Sequence, residues 1–175
     1  HLQQYQLHQE RYLFTQQKTR GEVLGLEELS SELDQFYIAS KLNQSANALT
    51  HQALHQSSFQ PDLLTEILAY LDQKDFSSSP SIAIYFHCLK MLTEEESLPY
   101  FQQLRGLMEE HSTAFPPREL QDIYTFALNY CIKRLNARKD FFHREALHLY
   151  QEGLAKQVFL EHGILSRFNY KNIVA

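Results

Sequence analysis

Two histidines stand four residues apart in the stretch HQALHQ, which places both imidazoles on one face of a helix. His51 and His55 would suit a metal such as zinc, but a zinc site needs two further ligands. A metalloprotease motif would also carry Glu directly after the first His, where this chain has Gln52. His143 and His148 stand five apart and point to different faces of a helix. These patterns predict surface side chains, with no metal and no cofactor.

Nucleophiles and phosphate-binding loops would support other chemistry. Cys88 and Cys131 lie in apolar helical stretches, where a thiol stays protonated and unreactive. The five Gly are isolated, so the chain has neither a glycine-rich phosphate loop nor a Gly-x-Ser-x-Gly elbow. His87 would support catalysis only if a deep pocket joined it to a carboxylate. We therefore predict that the chain is not an enzyme, and we expect a cytoplasmic location because two unpaired cysteines are typical of a reducing compartment.

A basic run marks the end of one predicted helix and the start of the next. Its members are Lys133, Arg134, Arg138, Lys139 and Arg144. Such a run can contact the phosphates of RNA or DNA, but cations at a helix end also interact favourably with the helix dipole. The run includes Asp140, and the chain carries a net charge of −5. Nucleic-acid binding by a helical array is therefore the alternative function, not the preferred one.

Few residues in this chain interrupt helices, since 175 residues include only five Gly and five Pro. Start and stop signals predict helices at about 2–17, 26–56, 61–74, 81–92, 97–112, 118–137 and 141–158, with an eighth beginning near Ser166. A kink near Ser30-Ser31 in the second helix is left open. No window holds about 18 consecutive apolar residues, so we expect no membrane span. The predicted fold class is all-α.

The predicted helices alternate in character. The fourth and sixth are apolar nearly all round, whereas the third, fifth and seventh have one apolar stripe. In the fifth helix the stripe is Leu98, Phe101, Leu104 and Met108, and the residues expected to face water are Gln102, Gln103, Arg105, Glu109 and Glu110. This order favours stacked helical hairpins, in which each hairpin covers the apolar face of its neighbour.

A repeat of 43 residues supports the stacking. The stretch CLKML, which begins at Cys88, recurs as CIKRL at Cys131, and the same interval leads back to Ser45 and forward to Val174. We interpret residues 1–175 as one helical-repeat solenoid. We also expect a fragment of a longer protein, because the chain begins with His and ends on NYKNIVA, where another apolar helical pattern begins.

The stretch EALHLYQEGL carries a resemblance. Its Ala146, Tyr150 and Gly153 resemble the small–aromatic–small signature in the second helix of tetratricopeptide-like repeats, although the period exceeds the usual ~34 residues. The region from Asp62 to Ala175 also looks like large, uncharacterised bacterial helical-repeat proteins. The resemblance implies a right-handed α-α superhelix of stacked antiparallel hairpins. It further implies protein or peptide binding on the concave face, and it supplies no catalytic residues.

One set of polar residues fits such a groove. Lys90 and Lys133 are 43 positions apart on otherwise apolar helices, and one further step back gives Asn47. We predict that these three side chains form a polar ladder, flanked by Tyr85 and Tyr130, which holds an acidic or extended peptide. The preferred function is a protein-binding scaffold. The sequence does not identify the partner or the oligomeric state.

Overall fold

A computed structural model of the chain describes residues 26–55, 61–74, 76, 79–137, 141–161 and 163–165. Its helices are α1 (Leu26–His55), α2 (Leu64–Leu71), α3 (Pro80–Thr93), α4 (Leu98–His111), α5 (Pro117–Asn136) and α6 (Phe141–Ala155). A 3-10 turn at Ser112–Ala114 follows α4, and a short antiparallel pair, β1 (Leu160–Glu161) and β2 (Ile164–Leu165), follows α6. The all-α prediction is confirmed for these ranges. The predicted helices at 2–17 and from Ser166 lie outside them.

Proline sets the beginning of three helices. Pro80 and Pro117 are the first residues of α3 and α5, and Pro99 is the second residue of α4. Proline suits these positions because its fixed φ is helical and its missing N–H would have no partner there. The predicted starts are therefore correct to within one residue. α1 runs through Ser30-Ser31 as one continuous helix.

Three predicted helix bounds are wrong, and a non-glycine residue with positive φ lies at two of them. Leu63 has φ 65°, so α2 begins only at Leu64, and turns replace helix after Leu71. Gln157 has φ 58°, so α6 ends at Ala155 and does not reach Val158. The N–H of Val158 donates to the carbonyl oxygen of Gly153 at 2.7 Å, which is the 6→1 bond of a Schellman end.

The helices pack as consecutive hairpins whose first members are neighbours. α3 packs against its partner α4 and against both α1 and α5, and α1 and α5 also contact each other. α5 pairs with α6, and α2 packs on α1. One continuous apolar core results, and its largest fully buried side chains include Tyr85, Tyr124 and Phe159.

The positions related by 43 residues share their burial. Ser45, Cys88 and Cys131 are each 0% exposed, on α1, α3 and α5 respectively. The residues four positions later, Leu49, Leu92 and Leu135, are all half-buried. Val174 lies outside the described residues. The 43-residue repeat and the handedness of the stack stay predictions.

Candidate functional site

Tyr85 joins the three first helices of the hairpins. Its hydroxyl accepts a hydrogen bond from Asn43 Nδ2 of α1 at 2.9 Å and donates one to Glu119 Oε1 of α5 at 2.7 Å. Asn43 and Glu119 are both buried, and Tyr85 is fully buried. Burial, reinforced by the Glu119 carboxylate, raises the pKa of Tyr85 far above its ordinary value. The phenol is therefore a neutral donor that links helices across the core.

The Tyr85→Phe variant is expected to lower the free energy of unfolding by about 1–2 kcal/mol. The variant keeps the ring but removes the acceptor for Asn43 and the charge-assisted hydrogen bond to Glu119. Urea denaturation, with the slope of the transition unchanged, measures this loss. Tyr70→Phe is the matched control, since Tyr70 is exposed on α2 and its change should stay within about 0.5 kcal/mol. Equal stability of the two variants would contradict the linking role.

The three residues of the predicted polar ladder, Asn47, Lys90 and Lys133, lie in different surroundings. Asn47 is half-buried and donates to the side-chain oxygen of Asn43 at 2.6 Å, so it belongs to the Tyr85 network. Lys90 is buried, and its ammonium pairs with Asp72 at 3.1 Å, just after α2, and with Glu94 at 3.3 Å. Lys133, its counterpart 43 residues later, is exposed. The structure does not bring the two lysines into equivalent environments. The role in binding that was predicted for Asn47, Tyr85, Lys90, Tyr130 and Lys133 stays a prediction.

Tyr130 lines a pocket between two hairpins. The pocket encloses about 510 Å³ where the α3–α4 connection meets α5 and the start of α6. We call it the aromatic pocket. Its lining includes Ser97, Leu98, Tyr130, Arg134, Phe141 and Phe142, together with Glu95 and Glu96. The Tyr130 ring stacks on Phe101 at 5.1 Å and meets Phe142 edge-on at 5.5 Å, so the floor is a fixed aromatic cluster.

Exposed apolar side chains stand at the same pocket. Phe141 is 54% exposed and Leu98 is 41% exposed, although the sequence placed Leu98 in a buried stripe. Leu98 is the first residue of α4 and follows the turn that contains Glu95 and Glu96. A ligand that covered Phe141 and Leu98 would remove apolar surface from water.

A second pocket, of about 550 Å³, lies between α1 and the residues around the end of α2. Its lining includes Asp34, Ser30 and Tyr70. The ammonium of Lys74 lies 5.3 Å from the centre of the Tyr70 ring. The side that α1 contributes is mostly polar, with Glu27, Ser31 and Gln35 beside Asp34 and Ser30. The aromatic pocket has an aromatic floor and two exposed apolar side chains, and it is therefore the better candidate for a ligand with an apolar group.

Arg105 forms a salt-bridge network that the sequence did not indicate. It was expected to face water, but its side chain is only 12% exposed. Nη1 and Nη2 donate to the two carboxylate oxygens of Glu152 on α6 at 2.9 and 2.6 Å, and Nε lies 3.7 Å from Glu145. The hydroxyl of Tyr124 on α5 also donates to Glu152 at 3.4 Å. These bonds fasten α4 to the hairpin of α5 and α6.

The residues considered for catalysis have apolar surroundings. His87 packs against the rings of Phe86 and Tyr100, and burial lowers its pKa. Burial raises the pKa of the Cys131 thiol to about 12 and that of Cys88 further still, so neither forms a thiolate near neutral pH. These thiols are packing groups.

The metal-binding and basic candidates are spread over the surface. His51, His143 and His148 are exposed, and the side chain of His55 lies outside the described residues. In the described part of the chain, no group of three or more His, Cys, Asp or Glu is placed to hold a metal ion. Arg144 is exposed, Arg134 reaches into the aromatic pocket, and Arg138 and Lys139 are not among the described residues.

No protein-family model, curated protein or solved structure matches the chain. Within the ranges that the structure describes, no helix is both long and apolar enough to cross a lipid bilayer.

Proposed function

We propose that the chain is a helical-repeat scaffold, a right-handed α-α superhelix of stacked antiparallel hairpins, that binds a protein or peptide partner without catalysing a reaction. The contacts among α1, α3 and α5 support the stacking, because each first helix lies beside the first helix of the next hairpin. The equal burial of Ser45, Cys88 and Cys131 supports the 43-residue period. Stacked hairpins of this kind form extended surfaces that suit macromolecular partners.

The aromatic pocket is the observation that carries the binding proposal. It combines a rigid aromatic floor with the exposed side chains of Phe141 and Leu98. Aromatic anchors in well-packed pockets contribute most of the binding energy at protein interfaces. Because the floor is held by contacts within the chain, a partner would not have to order it, which lowers the cost of binding.

Selection of peptides from a random display library tests the proposal, with affinities then measured by fluorescence anisotropy. Leu98→Ser and Phe141→Ser should each weaken the selected peptides about 10- to 30-fold, because each removes apolar contact at the pocket. Leu147→Ser is the matched control, since Leu147 is equally exposed on α6 but lies outside the pocket lining. The affinity of Leu147→Ser for the selected peptides should equal that of the native chain.

Other results would contradict the proposal. They are a failure to select any peptide, or selected peptides that bind all three variants equally. Binding of RNA or DNA that weakens steeply with salt and ignores the pocket variants would favour a nucleic-acid-binding array instead.

A further inference from the structure

We infer that the aromatic pocket recognises a carboxylate next to an apolar side chain, and that Arg134 binds the carboxylate. This inference rests on the proposed function, since it names the chemistry of the partner at the same pocket.

Arg134 is fixed in position by the pocket floor. Its guanidinium carbon lies 5.1 Å from the centre of the Tyr130 ring. Nη2 donates to the carbonyl oxygen of Glu95 at 3.3 Å and also to the hydroxyl of Ser97. The Ser97 hydroxyl lies 3.0 Å from the Tyr130 hydroxyl, so the same residues hold both the ring and the cation. A planar cation that is already ordered loses little entropy when it binds a ligand.

The acceptors of Arg134 are neutral. In the described part of the chain, no carboxylate lies within ion-pair distance of its guanidinium, and Nε and Nη1 donate no hydrogen bond. The other two half-buried or buried cations of α3 and α4 differ, because Lys90 pairs with Asp72 and Arg105 pairs with Glu152. A carboxylate can therefore gain charge-assisted hydrogen bonds from the remaining N–H groups of Arg134.

The residues around Arg134 determine which other groups of the ligand can bind beside the carboxylate. Phe141 and Leu98 line the pocket beside it and would cover an apolar side chain of the ligand. Glu95 and Glu96 are exposed and line the same pocket. Their charges repel any carboxylate that Arg134 does not pair, so the favoured ligand carries one acidic group beside one apolar group, not an acidic run.

Three small probes test the inference. Each is titrated into the protein, and its binding is followed by the NMR signals of the pocket rings Tyr130, Phe141 and Phe142. N-acetylphenylalanine has a terminal carboxylate, acetyl-Phe-Asp-amide has only a side-chain carboxylate, and N-acetylphenylalaninamide has none. At least one of the two carboxylates should bind about tenfold more tightly than the neutral amide, because each charge-assisted bond is stronger than a neutral one. Which carboxylate binds tightly identifies whether a chain terminus or an acidic side chain is recognised.

Variants assign the preference to Arg134. Arg134→Gln should bind all three probes with equal affinity, and Arg134→Lys should retain only part of the preference because it loses the planar, stacked fork. Arg118→Gln is the matched control: it removes an exposed Arg from the same helix, roughly 24 Å along the axis, and should keep the full preference. Thermal melts of each variant confirm that it is folded.

Equal binding of the three probes to the native chain would overturn the inference, as would a preference that survives in Arg134→Gln. If the neutral amide binds as well as the acids and Phe141→Ser abolishes all binding, the inference fails while the proposed function stands. If no probe perturbs the pocket at its solubility limit and no peptide is selected, both fail.

Discussion

The Arg105→Met variant is expected to lose about 2–3 kcal/mol of folding free energy, because it removes one partner of a largely buried salt bridge. Methionine fills much of the same space but leaves Glu152 and Glu145 without the cation that lies between them. The hydrogen bonds from Arg105 hold the pKa of Glu152 below its ordinary value of 4.5. The folded state therefore stabilises the charged carboxylate, and removing Arg105 removes that stabilisation.

Urea denaturation near neutral pH and again in acid measures the effect. Because the pKa of Glu152 is lowered on folding, its contribution is complete above pH 4.5 and disappears as the pH falls through the folded value. The difference between the native chain and Arg105→Met should therefore shrink in acid. A difference that is independent of pH would point to lost packing rather than to the ion pair.

A double variant separates the ion pair from the volume of the side chains. Arg105→Met combined with Glu152→Met should recover most of the lost stability, since apolar residues can replace a salt bridge but cannot neutralise one unpaired partner. Arg118→Met, at an exposed position on α5, should stay within about 0.5 kcal/mol of the native chain. A double variant as unstable as the single one would contradict our account of the network.

The Arg105 network shows what single-sequence reasoning misses. The helical position of Arg105 predicted contact with water, and its neighbours Gln102 and Gln103 are indeed exposed. Its partners lie 40 and 47 residues further along the chain, and only the packing of α4 against α6 brings them close. Periodicity within one helix carries no information about such a partner, so a half-buried ion pair looks like an ordinary solvated face.

Helix positions were predictable where proline or a long apolar pattern set them. The starts of α3, α4 and α5 follow from Pro80, Pro99 and Pro117. The bounds at Leu63 and Gln157 were not, because glycine and asparagine are the residues expected at positive φ and neither is present there. At Gln157 tertiary contacts decide the bound, because the residues that follow it, Val158 and Phe159, are both buried.

The candidate site was predictable only in part, for a related reason. The 43-residue interval located positions of equal burial, such as Cys88 and Cys131. The exposure of a small side chain is set mainly by the helix that packs directly against it. It did not make Lys90 and Lys133 equivalent. The environment of a long cation depends on the second helices and connections, and Asp72, which pairs with Lys90, lies in such a connection. Tyr130 was named from sequence as a binding residue and Arg134 as a member of the basic run, whereas Phe141 was not named, and only the fold brings the three to one pocket.

Replacing Gly153 by Ala should destabilise the chain by about 1–3 kcal/mol, although alanine favours helices over glycine by roughly 1 kcal/mol. A Cβ at Gly153 would lie closer to the Phe159 ring than packed atoms can approach. Phe159 is 1% exposed and meets Tyr124 and Tyr150 at 5.9 and 5.8 Å, so the ring has little room to move.

Gly106 provides the matched control on α4. A Cβ there meets nothing within 4 Å, so Gly106→Ala should stabilise the chain by about 0.5–1 kcal/mol through helix propensity alone. The two variants make the same chemical change in a helix, and urea denaturation should shift their midpoints in opposite directions. If both variants gain stability, the close approach of Phe159 to α6 is not required by the fold. The double variant Gly153→Ala/Phe159→Leu should regain part of the loss, because the smaller side chain leaves space for the added methyl group.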